Sequence, residues 1–438
     1  VKALAFFIIM AFMIVLKHVM GVGGADPMPR AMLSFGFLIF SGYIAGRYAV
    51  RVGLPSITGY LLAGIFVGPS VLNLVGYETI LQFKVVDDLA LALISFTAGG
   101  ELKFDRIRRC TVSIFSVSIL QTLAIFSVVF AGSYLMFSTF RGCVDSNEGI
   151  VVISILIAAI SAACSPASAI AVIVGSRAKG RTTDITIGAT VIRDMLVLIG
   201  FSFTIALGYS ISSGRSVRMD LVWHMLFIMI LSLAMGGAVA LLIGAYLKYV
   251  KAQFVLFVIT VSLGIVFISE AFELHFVLSC LMAGFLVENF TDLGDRLVGA
   301  IERTSMTVYI IFFAMAGASL DFIALHKVWP FAIVIVGLRI LGTVIGTYSG
   351  GKIGKERALF NRLGWMGFLS QAGVSLGLVI LAARAFPEWG GEFKAIMVAV
   401  IAINQIAGPI ALKSILGLSK ETYDRHIAEI IRPGKGKS

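Results

Sequence analysis

Apolar stretches of 18 or more residues recur from one end of this chain to the other, separated only by short charged, Gly- or Pro-containing punctuation. Each is long enough to cross a hydrocarbon layer about 30 Å thick. A chain of this kind cannot fold around a water-facing surface, because 59% of its 438 residues are hydrophobic and only 13% are charged. Soluble domains carry about 25% charged residues. The expected fold class is an all-α polytopic membrane protein with about 14 transmembrane helices (13 to 14).

The punctuation divides the chain into spans at roughly 1–21, 31–49, 54–75, 84–101, 109–138, 150–176 and 184–211. A second set follows at roughly 220–247, 253–270, 274–290, 305–325, 329–350, 362–385 and 393–415. Residues 1–30 read as an extra N-terminal transmembrane helix, since they lack a basic leader and a clear cleavage site before Gly23. Residues 31–415 form the main membrane domain, and 416–438 a short basic tail. Basic residues are about twice as frequent in the loops after even-numbered spans as in the opposite loops, which places both termini in the cytoplasm.

The net charge of +11 does not indicate a nucleic-acid partner, because the basic residues lie in short loops and the tail rather than in a basic domain interleaved with aromatics. Cys110, Cys143, Cys164 and Cys280 are widely separated and the five histidines are scattered, so no metal-ligand or disulfide spacing is present. No nucleophile, base and acid fall together at a plausible depth. The chain therefore reads as a transporter without a cofactor rather than an enzyme.

Two spans are interrupted by small polar residues and proline. One contains Ser161-Ala162-Ala163-Cys164-Ser165-Pro166-Ala167-Ser168, the other Ser370-Gln371-Ala372-Gly373-Val374-Ser375. Backbone released from helical bonding at membrane depth is tolerated only where protein or a cavity satisfies it. The two interruptions lie seven spans apart, the arrangement of repeated halves with broken helices around a midplane site. Close helix packing through small residues is the other reading.

Few ionisable side chains fall well inside spans: Lys17, Arg193, Asp194 and Arg339, with His18 close to them. A charge at the bilayer centre costs about 2.5 to 3.5 kcal/mol even on lenient scales, so such residues mark ion or proton paths. Asp194 lies about ten residues, or about 15 Å, into its span. A carboxylate there can hold either a proton or a cation, which is the simplest chemistry for obligatory exchange. Arg339 either stabilises that carboxylate, substitutes for the cation, or serves unwound backbone carbonyls. Arg193 points about 100° away from Asp194 on a helix and faces a different partner or a vestibule. Asn404, Gln405 and Pro409 are weaker cavity-lining candidates.

Leu54-Pro55-Ser56-Ile57-Thr58-Gly59-Tyr60 through Gly68-Pro69-Ser70 resembles the early signature of the cation:proton antiporter superfamily, especially its second branch. Phe96 to Leu102, Ala283-Gly284-Phe285, Phe312 to Asp321 and Gly364 to Ser375 continue the likeness in order over roughly 31–415. The resemblance implies two crossing discontinuous helices within inverted repeats (about 150–176 and 362–385), a core domain plus a dimerisation domain, elevator-like alternating access and a homodimer. It implies Asp194 as the ion-binding aspartate and Arg339 as the basic residue of the span before the second broken helix.

The chain departs from the family pattern at Arg193, where many members carry Asn, Gln or Asp. It also has Cys164-Ser165-Pro166 where the first branch has Thr-Asp-Pro. With one acid at the site, electroneutral exchange of Na+ or K+ for H+ is expected. Asp194 would be alternately protonated and cation-bound, with Ser165, Cys164 and Ser168 as further ligands. Pro166, Ser370, Gln371 and Ser375 would shape the breaks, and Arg339 and Arg193 would be the charge partners. The alternatives are a transport-inactive sensor or scaffold, or a carrier of a different, anionic substrate because of Arg193. A bacterial inner membrane or an equivalent plasma or organelle membrane is the expected location.

Overall fold

The structure is a computed structural model; it describes residues 15, 27–76, 80, 84–140, 146–213, 219–250, 253–291, 294–319, 322–371 and 373–422. The proposed N-terminal helix with Lys17 and His18, Cys143, Ala372 and the tail beyond residue 422 lie outside them. Among the described residues all regular structure is helical. In chain order the helices are α1 (Pro27–Arg51), α2 (Ser56–Val67), α3 (Lys84–Glu101), α4 (Phe104–Thr139), α5 (Asn147–Ser161), α6 (Pro166–Gly175) and α7 (Arg181–Ser213). They continue as α8 (Met219–Tyr249), α9 (Phe254–Ala271), α10 (Phe276–Phe290), α11 (Gly294–Ala318), α12 (Phe322–Ile353), α13 (Ala358–Leu363), a 3₁₀ segment (Gly364–Phe368), α14 (Gly373–Ala385) and α15 (Gly390–Leu418).

Among the described residues, seven helical stretches are long and apolar enough to cross a membrane. The protein is a multi-pass integral membrane protein of all-α class. Each expected span from residue 31 onward falls on one or more of the helices α1–α15, with boundaries moved where local chemistry dictates. The span at 54–75 ends as a helix at Val67, where Gly68 turns to extended backbone and Pro69 follows. Proline has no N–H to continue the helical ladder.

The chain divides into two compact units, residues 1–101 with 234–323 and residues 102–233 with 324–438. In the first, α3 packs against α10 and α11, and α2 against α1 and α11. The α3–α10 contact is close enough for backbone to meet backbone: a Cβ on Gly99 would lie 2.0 Å from the Leu281 carbonyl oxygen, and one on Gly284 2.3 Å from that of Phe96. Leu241 and Phe267 are 78% and 75% exposed in this unit, as suits side chains that face hydrocarbon.

The second unit holds both interrupted spans. In the stretch 147–175, 78% of the most apolar window is buried within the protein, against 28% for 254–271. Irregular backbone is thus enclosed by protein, as a dry environment requires. Along α12 and the residue that follows it, glycine recurs at every fourth position against α4. Gly342, Gly346, Gly350 and Gly354 face Ile125, Gln121, Val117 and Ser113 in turn. Small residues at this spacing let two helix backbones approach closely.

Backbone atoms cannot move aside as a flexible side chain can. A Cβ at Gly346 would lie 2.3 Å from the Gln121 Cα, whereas one at Gly337 on the same helix meets nothing within 4 Å. Gly346→Val is therefore expected to destabilise the purified protein by about 1 to 3 kcal/mol or more. Gly337→Ala should match or slightly exceed wild-type stability. Thermal unfolding in detergent checks both.

Candidate functional site

The site grows from two chain breaks in the second unit. α5 stops at Ser161 and the chain runs unwound to Ser165, the N-cap of α6. Pro166 occupies the first turn, where its missing N–H costs nothing. The Ser165 hydroxyl accepts from the Ser168 backbone N–H at 3.2 Å. The second break follows the 3₁₀ segment and runs through Leu369, Ser370 and Gln371 to α14. The breaks are stitched together by the Ser165 N–H, which donates to the Ser370 carbonyl at 2.8 Å. Two interrupted segments far apart in sequence therefore meet at their unwound centres.

Helix ends leave carbonyls without intrahelical donors and with partial negative charge. In this unit Arg339 of α12 answers them. Its guanidinium is fully enclosed. Nε donates to Ser161 O (2.8 Å), Nη1 to Leu369 O (2.8 Å) and Asn404 Oδ1 (3.3 Å), and Nη2 to Ala163 O (3.0 Å) and Phe368 O (3.3 Å). A guanidinium has five N–H donors in a fixed fork, and each has an acceptor here. The planar geometry that suits Arg to such a site is not shared by Lys. Asn404 of α15 extends the network by donating to Gln371 Oε1 at 3.0 Å, and Gln371 Nε2 donates to Ile160 O at 3.1 Å.

Arg193 and Asp194 sit mid-way along α7 and go separate ways. Arg193 is fully enclosed, donating through Nη1 to the Gln121 side-chain oxygen on α4 and through Nη2 to Phe368 O at 3.1 Å. Its guanidinium carbon lies 5.5 Å from the centre of the Phe368 ring, within cation–π range. Its Nε has no partner among the described residues. Both buried guanidinium groups therefore converge on the Phe368 carbonyl. Asp194 is half-buried, and its Oδ1 is shielded without a hydrogen-bond partner among the described residues.

The remaining sequence candidates are distributed around these groups. The Cys164 thiol reaches the Thr190 carbonyl of α7 at 3.7 Å, one turn before Asp194. Ser168 and Ser375 are buried, and their hydroxyl oxygens have no partner among the described residues. Ser370 contributes its carbonyl to the stitch, while Gln371 and Asn404 form the amide link to Arg339. Gln121 was not among the sequence candidates, although the lone amide of the 109–138 span was the available signal.

A second polar cluster holds the N-terminal end of α7. The Glu421 carboxylate, beyond the end of α15, accepts from the backbone N–H groups of Thr182 and Thr183, both at 2.8 Å, and from the Thr183 hydroxyl at 2.7 Å. Arg181 pairs with Glu356 at 2.6 Å. The carboxylate of Glu421 thus caps the helix that carries Asp194, from a residue remote in sequence.

Two buried helix breaks joined at their unwound centres and held by an enclosed guanidinium are the kind of arrangement that membrane transporters use. Residues 36–417 match the family described as sodium/hydrogen exchanger, transmembrane, and the chain belongs to that family. It is 24% identical over 373 residues to a Na(+)/H(+) antiporter of Enterococcus hirae, covering 84% of this chain and 94% of that protein. It is also 21% identical over 376 residues to the Na(+)/H(+)-K(+) antiporter GerN of Bacillus cereus, covering 85% and 93% respectively. The fold is similar to that of the sodium proton antiporter MjNhaP1 from Methanocaldococcus jannaschii, with a TM-score of 0.67 at 16% identity, over 94% of this chain and 100% of that one.

Arg339→Lys offers three donors in place of five and is expected to cost more than about 2 kcal/mol, because buried acceptors lose charge-assisted partners. Glu421→Ala uncaps α7 and should cost about 1 kcal/mol. Thermal-shift measurements on purified protein would read both, with the larger loss at Arg339.

Proposed function

We propose that this protein exchanges a monovalent cation, Na+ or K+, for protons across the membrane. Asp194 is the carboxylate that the two ligands share. The observation that carries this reading is the isolation of that carboxylate: Oδ1 is buried with no donor among the described residues, one helical turn from the Thr190 carbonyl that meets Cys164 of the first break. An unsatisfied charge in a dry setting is costly, so it demands a proton or a cation. Ser165, Cys164 and Ser168 near the first break supply the remaining ligands, with Pro166, Ser370, Gln371 and Ser375 shaping the cavity. Arg339 holds the broken backbone, and Arg193 is the fixed countercharge.

The names of the relatives support the same ion class. Exchange is electroneutral, because one carboxylate trades one proton for one cation. Alternating access is elevator-like and the protein is a homodimer, in keeping with the family resemblance. The grouping of both breaks, Asp194 and Arg339 within one compact unit supports that unit as the transport body. The exchanger domain is residues 31–415, a range that the family match over 36–417 supports. Both termini are cytoplasmic by the loop-charge bias, in a bacterial inner membrane or an equivalent one.

The test is reconstitution into liposomes carrying an internal pH dye. An imposed Na+ or K+ gradient should drive pH change through wild type but not through Asp194→Asn. Collapsing the membrane voltage with a lipophilic ion should leave the initial rate unchanged. Flux that survives in Asp194→Asn would sink the assignment.

A further inference from the structure

Gln121 is unused by the transport reading, yet it is fully enclosed in α4 and lies directly on the glycine stripe of α12. Its amide faces two partners. The oxygen accepts from Arg193 Nη1, and the nitrogen donates to the Thr347 hydroxyl at 2.5 Å. Thr347 in turn donates to Thr343 O at 2.6 Å, and the Thr343 hydroxyl to Arg339 O at 2.7 Å. A continuous line of hydrogen bonds thus runs from Arg193 through Gln121 into the helix that bears Arg339. The amide can be in one orientation only, because its oxygen must face the guanidinium, which has no acceptor.

Arg193 has a long side chain with a cationic head, immediately before an aspartate whose Oδ1 has no partner among the described residues. Successive helical residues diverge by about 100°, but a flexible Arg reaches past that separation unless something holds it. The holds found here are Gln121, the Phe368 carbonyl and the Phe368 ring. Gln121 is the one among these that is a side-chain acceptor.

Resting on the antiport reading, we propose that Gln121 is a positioning residue. It clamps Arg193 against the second helix break, so that the guanidinium neither pairs with Asp194 nor competes with the transported cation. The amide is suited to the role because it anchors the guanidinium without cancelling its charge. A carboxylate in its place would hold Arg193 and neutralise it; an apolar side chain would release it.

These alternatives predict opposite effects on cation KM in the liposome assay at one fixed alkaline pH. Gln121→Leu frees Arg193 to occupy the carboxylate and should raise the KM for the cation by about fivefold or more, the size expected for residues in one hydrogen-bonded network. Gln121→Glu keeps the anchor, removes the net positive charge and should lower KM. Arg193→Gln combined with Gln121→Leu should have the KM of Arg193→Gln alone, because Gln121 acts only through Arg193. A merely structural role would reduce the amount or rate of folded protein without moving KM in opposite directions.

Unchanged KM in Gln121→Leu, or additive effects in the double variant, would overturn the inference while leaving the antiport reading intact. If Gln121→Leu does not fold, Gln121→Glu decides: a lowered KM supports the clamp, and an unchanged or raised KM contradicts it. Wild-type protein without cation-dependent flux would instead overturn the antiport reading, and the inference with it.

Discussion

The structure of the second unit depends on one problem of physical chemistry: two stretches of backbone are unwound where water cannot reach them. Unsatisfied carbonyls in such a place cost free energy comparable to a lost hydrogen bond each. Arg339 solves much of this with one side chain, since four of its five acceptors are backbone carbonyls of the two breaks. The Asn404–Gln371 pair and the Ser165–Ser370 stitch complete the join. A buried charge is normally a liability. Here the positive head is matched by the partial negative charge of helix ends, so the same group settles both debts of burial.

That solution leaves a distinctive charge balance. Arg339 has no N–H left for a carboxylate, and Arg193 directs its two terminal nitrogens to Gln121 and Phe368. Asp194 thus stands among fixed cations without an ion pair to either of them within the described residues. A carboxylate already locked to a guanidinium would have nothing to trade; one left free can be claimed by a proton or a cation in turn. The glycine stripe that brings α12 against α4 belongs to the same argument, because it sets Gln121, the acceptor for Arg193, close enough to reach Thr347.

Much of this was legible in the chain itself. Membrane residence follows from recurring apolar length, and the breaks announce themselves as Ser-Pro and Gly-Ser interruptions. Asp194 stands out as an acid at depth. Other features were hidden because their partners are backbone atoms or distant residues. The carbonyls that receive Arg339 look like ordinary Ser, Ala, Phe and Leu, so its alternatives could not be resolved by reading. Gln121 is a single amide in a helix of 36 residues and scarcely alters its hydropathy. Its importance depends on Thr347, 226 positions away. Glu421 likewise lies where a tail was expected to begin, and only the fold brings it to the first turn of α7.

The central claim is that a proton and a cation compete for the Asp194 carboxylate. It is tested most directly by following proton release from purified protein in weakly buffered detergent as Na+ or K+ is added. Protons should leave in equal number to cations bound, and Asp194→Asn should abolish both signals. Saturable cation binding with no proton release, or release that persists in Asp194→Asn, would contradict it.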